Sequence, residues 1–234
     1  FRYSDYGEVY AVFPTLRSTA GSTYNAHRFD LPAGGTGGGS RTPTAWVSGN
    51  GVMHEYGHII HFRAFDGAGN NTDYSYGGNS SWSASSKEYP QSAFTEGWAN
   101  FVVRATLEGQ PSSATTDPYG CTGSYDSSSW YGCSGAPCSD GHWYPGNVTR
   151  ALCDWMDSAN DVSYGDGDHF AASSLYSMWY NLENMYDNAT AAERSAGLDL
   201  CDWVDYYVNV RQGGSATYQD LVTDLIWNNA ITCN

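Results

Sequence analysis

The chain has 234 residues, 41% of them hydrophobic and 15% aromatic, which is globular composition and enough for one domain with a real core. Ten basic residues face twenty-five acidic ones, for a formal charge of −15, and Lys87 is the one lysine. Such a field excludes a nucleic-acid or anionic-membrane partner, because phosphate binding needs basic patches. No apolar run approaches the roughly 18 residues that a membrane span requires.

No signal peptide is present and Phe1 begins inside folded-looking sequence, so a trimmed mature form is expected. The six cysteines, Cys121, Cys133, Cys138, Cys153, Cys201 and Cys233, form no CxxC pair. They read as disulfides formed in an oxidising compartment, and a secreted protein is expected. N-x-S/T sequons occur at Asn70, Asn79, Asn147 and Asn188.

In chain order, residues 5–13 (DYGEVYAVF) alternate apolar and polar and predict a strand, and 24–31 predict a weaker one. A Gly-rich loop follows at 32–43. Residues 51–65 predict a helix, with Val52, Tyr56, Ile59 and Ile60 at helical spacing. The segment 66–90 is irregular, and Pro90 can open the next element. Residues 92–107 predict a second helix through Phe94, Trp98, Phe101, Val102 and Ala105. Residues 109–142 carry three cysteines among Ser, Gly and Pro and read as a disulfide-pinned loop region. Four apolar stripes follow: Val148–Met156, Leu175–Met185, Trp203–Val208 and Tyr218–Ile226.

The expected fold class is therefore α+β, with a small N-terminal β-sheet subdomain, two middle helices and a mostly helical C-terminal part. A single catalytic domain over 1–234 is expected, with a β-containing lobe at 1–65 and a mainly helical lobe at 66–234.

His54-Glu55-Tyr56-Gly57-His58 is an H-E-x-x-H motif on the first predicted helix. Histidines four apart lie on one helix face, so both can hold one zinc ion. Glu55 stands about 100° round the helix, off the metal but able to act as general base. A catalytic zinc takes three protein ligands. Glu96, in the apolar run FTEGWANFVV, is the favoured third; Glu88, Asp66 and Asp73 are the competitors. Asn100, one turn past Glu96, could hydrogen-bond the free nitrogen of a zinc histidine. Asp157, Asn160, Asp161, Asp166 and Asp168 lie within twelve residues and make calcium the second candidate metal.

HEYGH followed by FTEGWANF resembles the gluzincin metallopeptidases, the group of thermolysin and fungalysin, over about residues 50–108. The resemblance implies a zincin-like fold with His54, His58 and Glu96 on zinc and Glu55 as base. It puts Asn100 where the family has an aspartate that orients a zinc histidine. It further implies an oxyanion-stabilising histidine, for which His142, before GNVTRALCDWMDSAND, and His169, in GDHFAASS, are rival matches. The expected activity is zinc-assisted hydrolysis of a polypeptide by a monomer. A mucin-directed glycopeptidase and a catalytically dead binding module are the alternatives.

Overall fold

A computed structural model describes residues 10–11, 29–30, 49–67, 70, 72–73, 76–78, 82–107, 132, 140–156, 175–214, 231 and 233. Strand β1 (Tyr10–Ala11) pairs antiparallel with β2 (Phe29–Asp30), Tyr10 opposite Asp30 and Ala11 opposite Phe29. Everything else that is regular is helical: α1 (Gly49–Ala64), α2 (Pro90–Leu107), α3 (Pro145–Met156), α4 (Leu175–Asn188), α5 (Ala191–Ala196) and α6 (Leu200–Asp205).

The expected α+β fold is thereby corrected: among the described residues there is no N-terminal β-sheet subdomain, and the architecture is helical. The physical reason lies in what a sheet needs. Period-two alternation over nine residues can propose a strand, but a stable sheet needs three or more strands or a helix layer to bury its face. The sequence before α1 proposes only two, and among the described residues two of each are paired.

The helices begin and end where local chemistry directs. Pro90 opens α2, its fixed φ suiting the first helical position and its missing N–H costing nothing there. Gly67, at φ 77°, follows α1, and its N–H donates back to Phe62 O at 2.9 Å to cap the last turn. Thr190 and Asp199 each form a reciprocal capping box, with Glu193 for α5 and Asp202 for α6. A wider π-type turn over Tyr206–Arg211 continues α6.

The core is centred on α2, which packs against α1, α3 and α6. Phe94, Trp98, Ala99, Phe101 and Val102 are fully buried along it. The predicted stripes take their places around it: Val148, Ala151, Leu152 and Trp155 from α3, Met178, Leu182 and Met185 from α4, Trp203 and Val208 from the last turns. The fourth predicted stripe, and nearly all of the 109–142 region, lie outside the described residues. Cys201 and Cys233 are joined by a disulfide, which fastens α6 to the C-terminal end of the chain.

Two glycines set the helix spacing. A Cβ on Gly57 of α1 would lie 2.7 Å from Ala99 Cα of α2. A Cβ on Gly97 of α2 would lie 2.5 Å from Val148 Cγ1 of α3. Neither space exists for a side chain, so α1 and α2 approach backbone to backbone, and the α2 backbone at Gly97 lies against the Val148 side chain of α3. Thr149 Oγ1 reinforces the second contact, donating across it to Gly97 O at 3.1 Å.

Candidate metal centre

The closeness of α1 and α2 brings three side chains together. His54 and His58 lie one turn apart on α1, and Glu96 lies on the facing side of α2. His54 Nε2 is 3.1 Å from Glu96 Oε2 and 3.1 Å from His58 Nε2. His58 Nε2 is 3.3 Å from Glu96 Oε2. Among the described residues this is the one cluster of His, Cys, Asp or Glu groups arranged to hold a metal ion.

The donor set fits zinc in type and size. Two imidazole nitrogens and a carboxylate oxygen are a known catalytic ligand set, and a tetrahedral ion with bonds of about 2.0–2.1 Å holds its ligand atoms about 3.3 Å apart. The observed triangle has that edge.

Hydrogen bonding directs the lone pairs inward. His54 Nδ1 lies 3.1 Å from Asn100 Oδ1. An amide oxygen only accepts, so Nδ1 carries the proton and donates, and Nε2 is left with its lone pair facing Glu96 and His58. A cation among the three atoms would take both that lone pair and the charge of Glu96.

The electrostatics agree. Burial would raise the pKa of Glu96, yet His58 and His54 outweigh it and hold the carboxyl down at about 2. Burial lowers the pKa of His58, with Glu96 opposing. Glu96 is 1% exposed, His58 5% and His54 15%, so His54 is the most accessible of the three.

The indole of Trp82 stacks on the imidazole of His54, with centroids 5.3 Å apart and planes 15° from parallel. The ring of His58 meets His54 edge-on at 4.7 Å. Trp82 carried no sequence signal, because 66–90 has no periodicity. One turn after His58, His61 is buried against Phe65, Phe94 and Trp98, and its pKa is lowered to about 3, first by burial and then by His58.

The competing third ligands sit elsewhere. Glu88 is buried, with Ser86 Oγ 2.7 Å from its Oε1; burial raises its pKa and the charge of Glu96 raises it further. Asp66 is exposed in the turn that ends α1, and Asp73 is exposed with its N–H on Ser92 Oγ.

His142 lies in a short 3-10 turn, Gly141–Trp143, before α3. Burial lowers its pKa, while Asp199 and Asp140 oppose. Glu55 belongs to α1, but its side chain lies outside what is described, as do His169 and the acidic residues Asp157, Asp161, Asp166 and Asp168. No helix among the described residues is long and apolar enough to cross a membrane.

Comparison with known proteins returns no match to a protein family, to a curated protein or to a solved structure.

Proposed function

We propose that the chain is a zinc-dependent metallopeptidase of gluzincin type, acting on polypeptides outside the cell. The observation that carries the reading is the triangle of His54 Nε2, His58 Nε2 and Glu96 Oε2, with edges of 3.1–3.3 Å, drawn from two helices that meet through Gly57.

In this reading His54, His58 and Glu96 hold the ion, and Asn100 keeps His54 in the tautomer that presents Nε2. A bound zinc supplies Lewis-acid chemistry, polarising the scissile carbonyl and bringing the pKa of water down toward about 7. Residue 55 stands about 100° round α1 from His54. From there Glu55 takes a proton from the attacking water and later returns it to the leaving amine. Burial of the carboxylate and of His58 keeps competing water away and strengthens every electrostatic interaction inside the site. The Cys201–Cys233 disulfide supports an oxidising compartment.

The test is metal analysis combined with casein hydrolysis on the wild type, Glu55→Gln and Glu96→Ala. Wild type should carry one zinc per chain and cleave casein. Glu55→Gln should keep the zinc and lose activity by about 10²–10⁴-fold, the range for loss of a general base. Glu96→Ala should lose both, whereas Glu88→Ala should keep both. A wild type without zinc, or a Glu55→Gln variant with wild-type turnover, would sink the proposal.

A further inference from the structure

The ligand His54 is the least buried of the three and therefore the one most in need of external support. An imidazole is oriented by two side-chain torsions. The hydrogen bond to Asn100 Oδ1 fixes the direction of Nδ1 within the ring plane. It does little to fix the tilt of the plane. The stacked indole of Trp82 does that: a centroid separation of 5.3 Å with 15° between planes is an offset stack, the favoured arrangement of facing rings.

Trp82 is itself held by a braced arm. Ser83 N–H donates to Ser86 Oγ at 2.7 Å and Ser86 N–H donates to Ser83 O at 3.1 Å, which closes a tight turn right after Trp82. Ala84 O accepts from Gly146 N–H at 2.9 Å, and Glu88 N–H donates to Trp143 O at 2.8 Å. Between them Lys87 Nζ reaches Asp140 Oδ2 at 2.5 Å and lies 4.7 Å from the centre of the Trp143 ring. The arm is thus pinned twice by backbone and once by charge to residues 140–146, the entry to α3. That helix packs on Gly97, the neighbour of Glu96. Trp82 and Glu96 are positioned from the same scaffold.

We propose that Trp82 is a positioning residue for the metal centre: its indole fixes the plane of the His54 imidazole so that Nε2 stays directed at the site shared with His58 and Glu96. The proposal rests on the zinc reading above and deepens it. Trp82 acts on the ion through His54 and is not itself a ligand.

The experiment measures the zinc dissociation constant of the whole chain by chelator competition, for wild type, Trp82→Ala and Trp82→Phe. Loss of a group that orients a ligand weakens metal binding about 10–100-fold, and Trp82→Ala should fall in that range. Phenylalanine keeps a stacking face, so Trp82→Phe should stay within about threefold of wild type. A second readout is cobalt(II) loading followed by tryptophan emission. The indole against the ligand should be quenched most, so wild type should lose more emission than Trp82→Phe. Zinc affinity in Trp82→Ala equal to wild type, Trp82→Phe as weak as Trp82→Ala, or identical cobalt quenching in wild type and Trp82→Phe would each overturn the proposal. Should Trp82→Ala not fold, the phenylalanine variant and the quenching decide alone. Wild type that binds no zinc would bring down the metallopeptidase reading as well, whereas zinc held equally by wild type and Trp82→Ala would overturn only the role of Trp82.

Discussion

Asn70 and Leu198, 128 positions apart, are joined by a two-way amide clasp: Asn70 Nδ2 donates to Leu198 O at 2.7 Å, and Leu198 N–H donates to Asn70 Oδ1 at 2.8 Å. The same Nδ2 reaches Gln91 O at 3.2 Å in the first turn of α2. One buried side chain therefore ties the exit of α1 to the start of α2 and the entry of α6. Asn70→Ala should leave both backbone groups of Leu198 buried and unpaired, a loss of about 2–4 kcal/mol. In a chain of this size that lowers Tm by roughly 5–10 °C. An unchanged melting curve would show that the clasp carries no stability.

The clasp also sorts the sequons. Asn70 has its amide committed and is buried, and Asn147 is buried inside α3 with Nδ2 on Gly141 O. Asn188 is exposed at the end of α4. Expression in a glycosylating host, followed by glycopeptide mapping, should find sugar on Asn188 and none on Asn70 or Asn147. A glycan on Asn147 would contradict the packing of α3 against α2.

Gly57 lies between the two histidines of the motif, and its hydrogen faces Ala99. Gly57→Ala puts a methyl carbon 2.7 Å from Ala99 Cα, inside contact distance of backbone that cannot yield by rotating a side chain. Overpacking of this kind destabilises by about 1–3 kcal/mol. Here it also pushes His54 and His58 away from Glu96. Zinc affinity and Tm should fall together, read by chelator competition and calorimetry. A variant that loses stability but binds zinc as tightly as wild type would show that the ligand spacing does not depend on this contact.

Acid should destabilise the metal-free protein, with His61 as a separable part of the cause. Its ordinary pKa of 6.5 is lowered to about 3 in the fold, first by burial. Above pH 6.5 neither state binds the proton and His61 has no effect. As pH falls below 6.5 the unfolded chain takes the proton first, so stability drops by up to about 1.4 kcal/mol per pH unit until about pH 3. Glu96, lowered to about 2 from 4.5, gives stability that is present above 4.5 and is lost as pH falls toward 2. Asp202, raised by burial to about 6 from 3.8, works the other way: as pH falls from about 6 to 3.8 the folded state takes its proton first and gains stability. His61→Leu removes the first contribution alone. Its Tm should fall less steeply than that of wild type between pH 6.5 and 3, with chelator present. Parallel profiles would mean that His61 is not held neutral by burial.

Helical periodicity made α1, α2 and the stripes on α3 and α4 readable from the sequence, because each presents one continuous apolar face to one core. The His54–His58 pair was legible because both residues sit on a single helix. Glu96 needed a further argument, from an acidic residue set in an apolar helix, and Asn100 followed from it by one turn. What failed was the N-terminal sheet subdomain: alternation over a short window proposes a strand but does not supply the partners a sheet needs. What was missed was Trp82, which meets His54 from 28 positions along the sequence, in a stretch whose residues show no periodicity. Glu88 entered only as a competing ligand. Its complete burial came from tertiary contacts at residues 140–146, which no local pattern announces.

The meeting of Gly57 with Ala99, and of Gly97 with Val148, has a mechanical consequence. A glycine backbone set against a neighbour's backbone or against a branched side chain leaves little room to roll or slide, so α1, α2 and α3 form one close-packed block. A cleft that opens and shuts around a substrate must then hinge outside that block, with other segments swinging against a fixed ligand triangle.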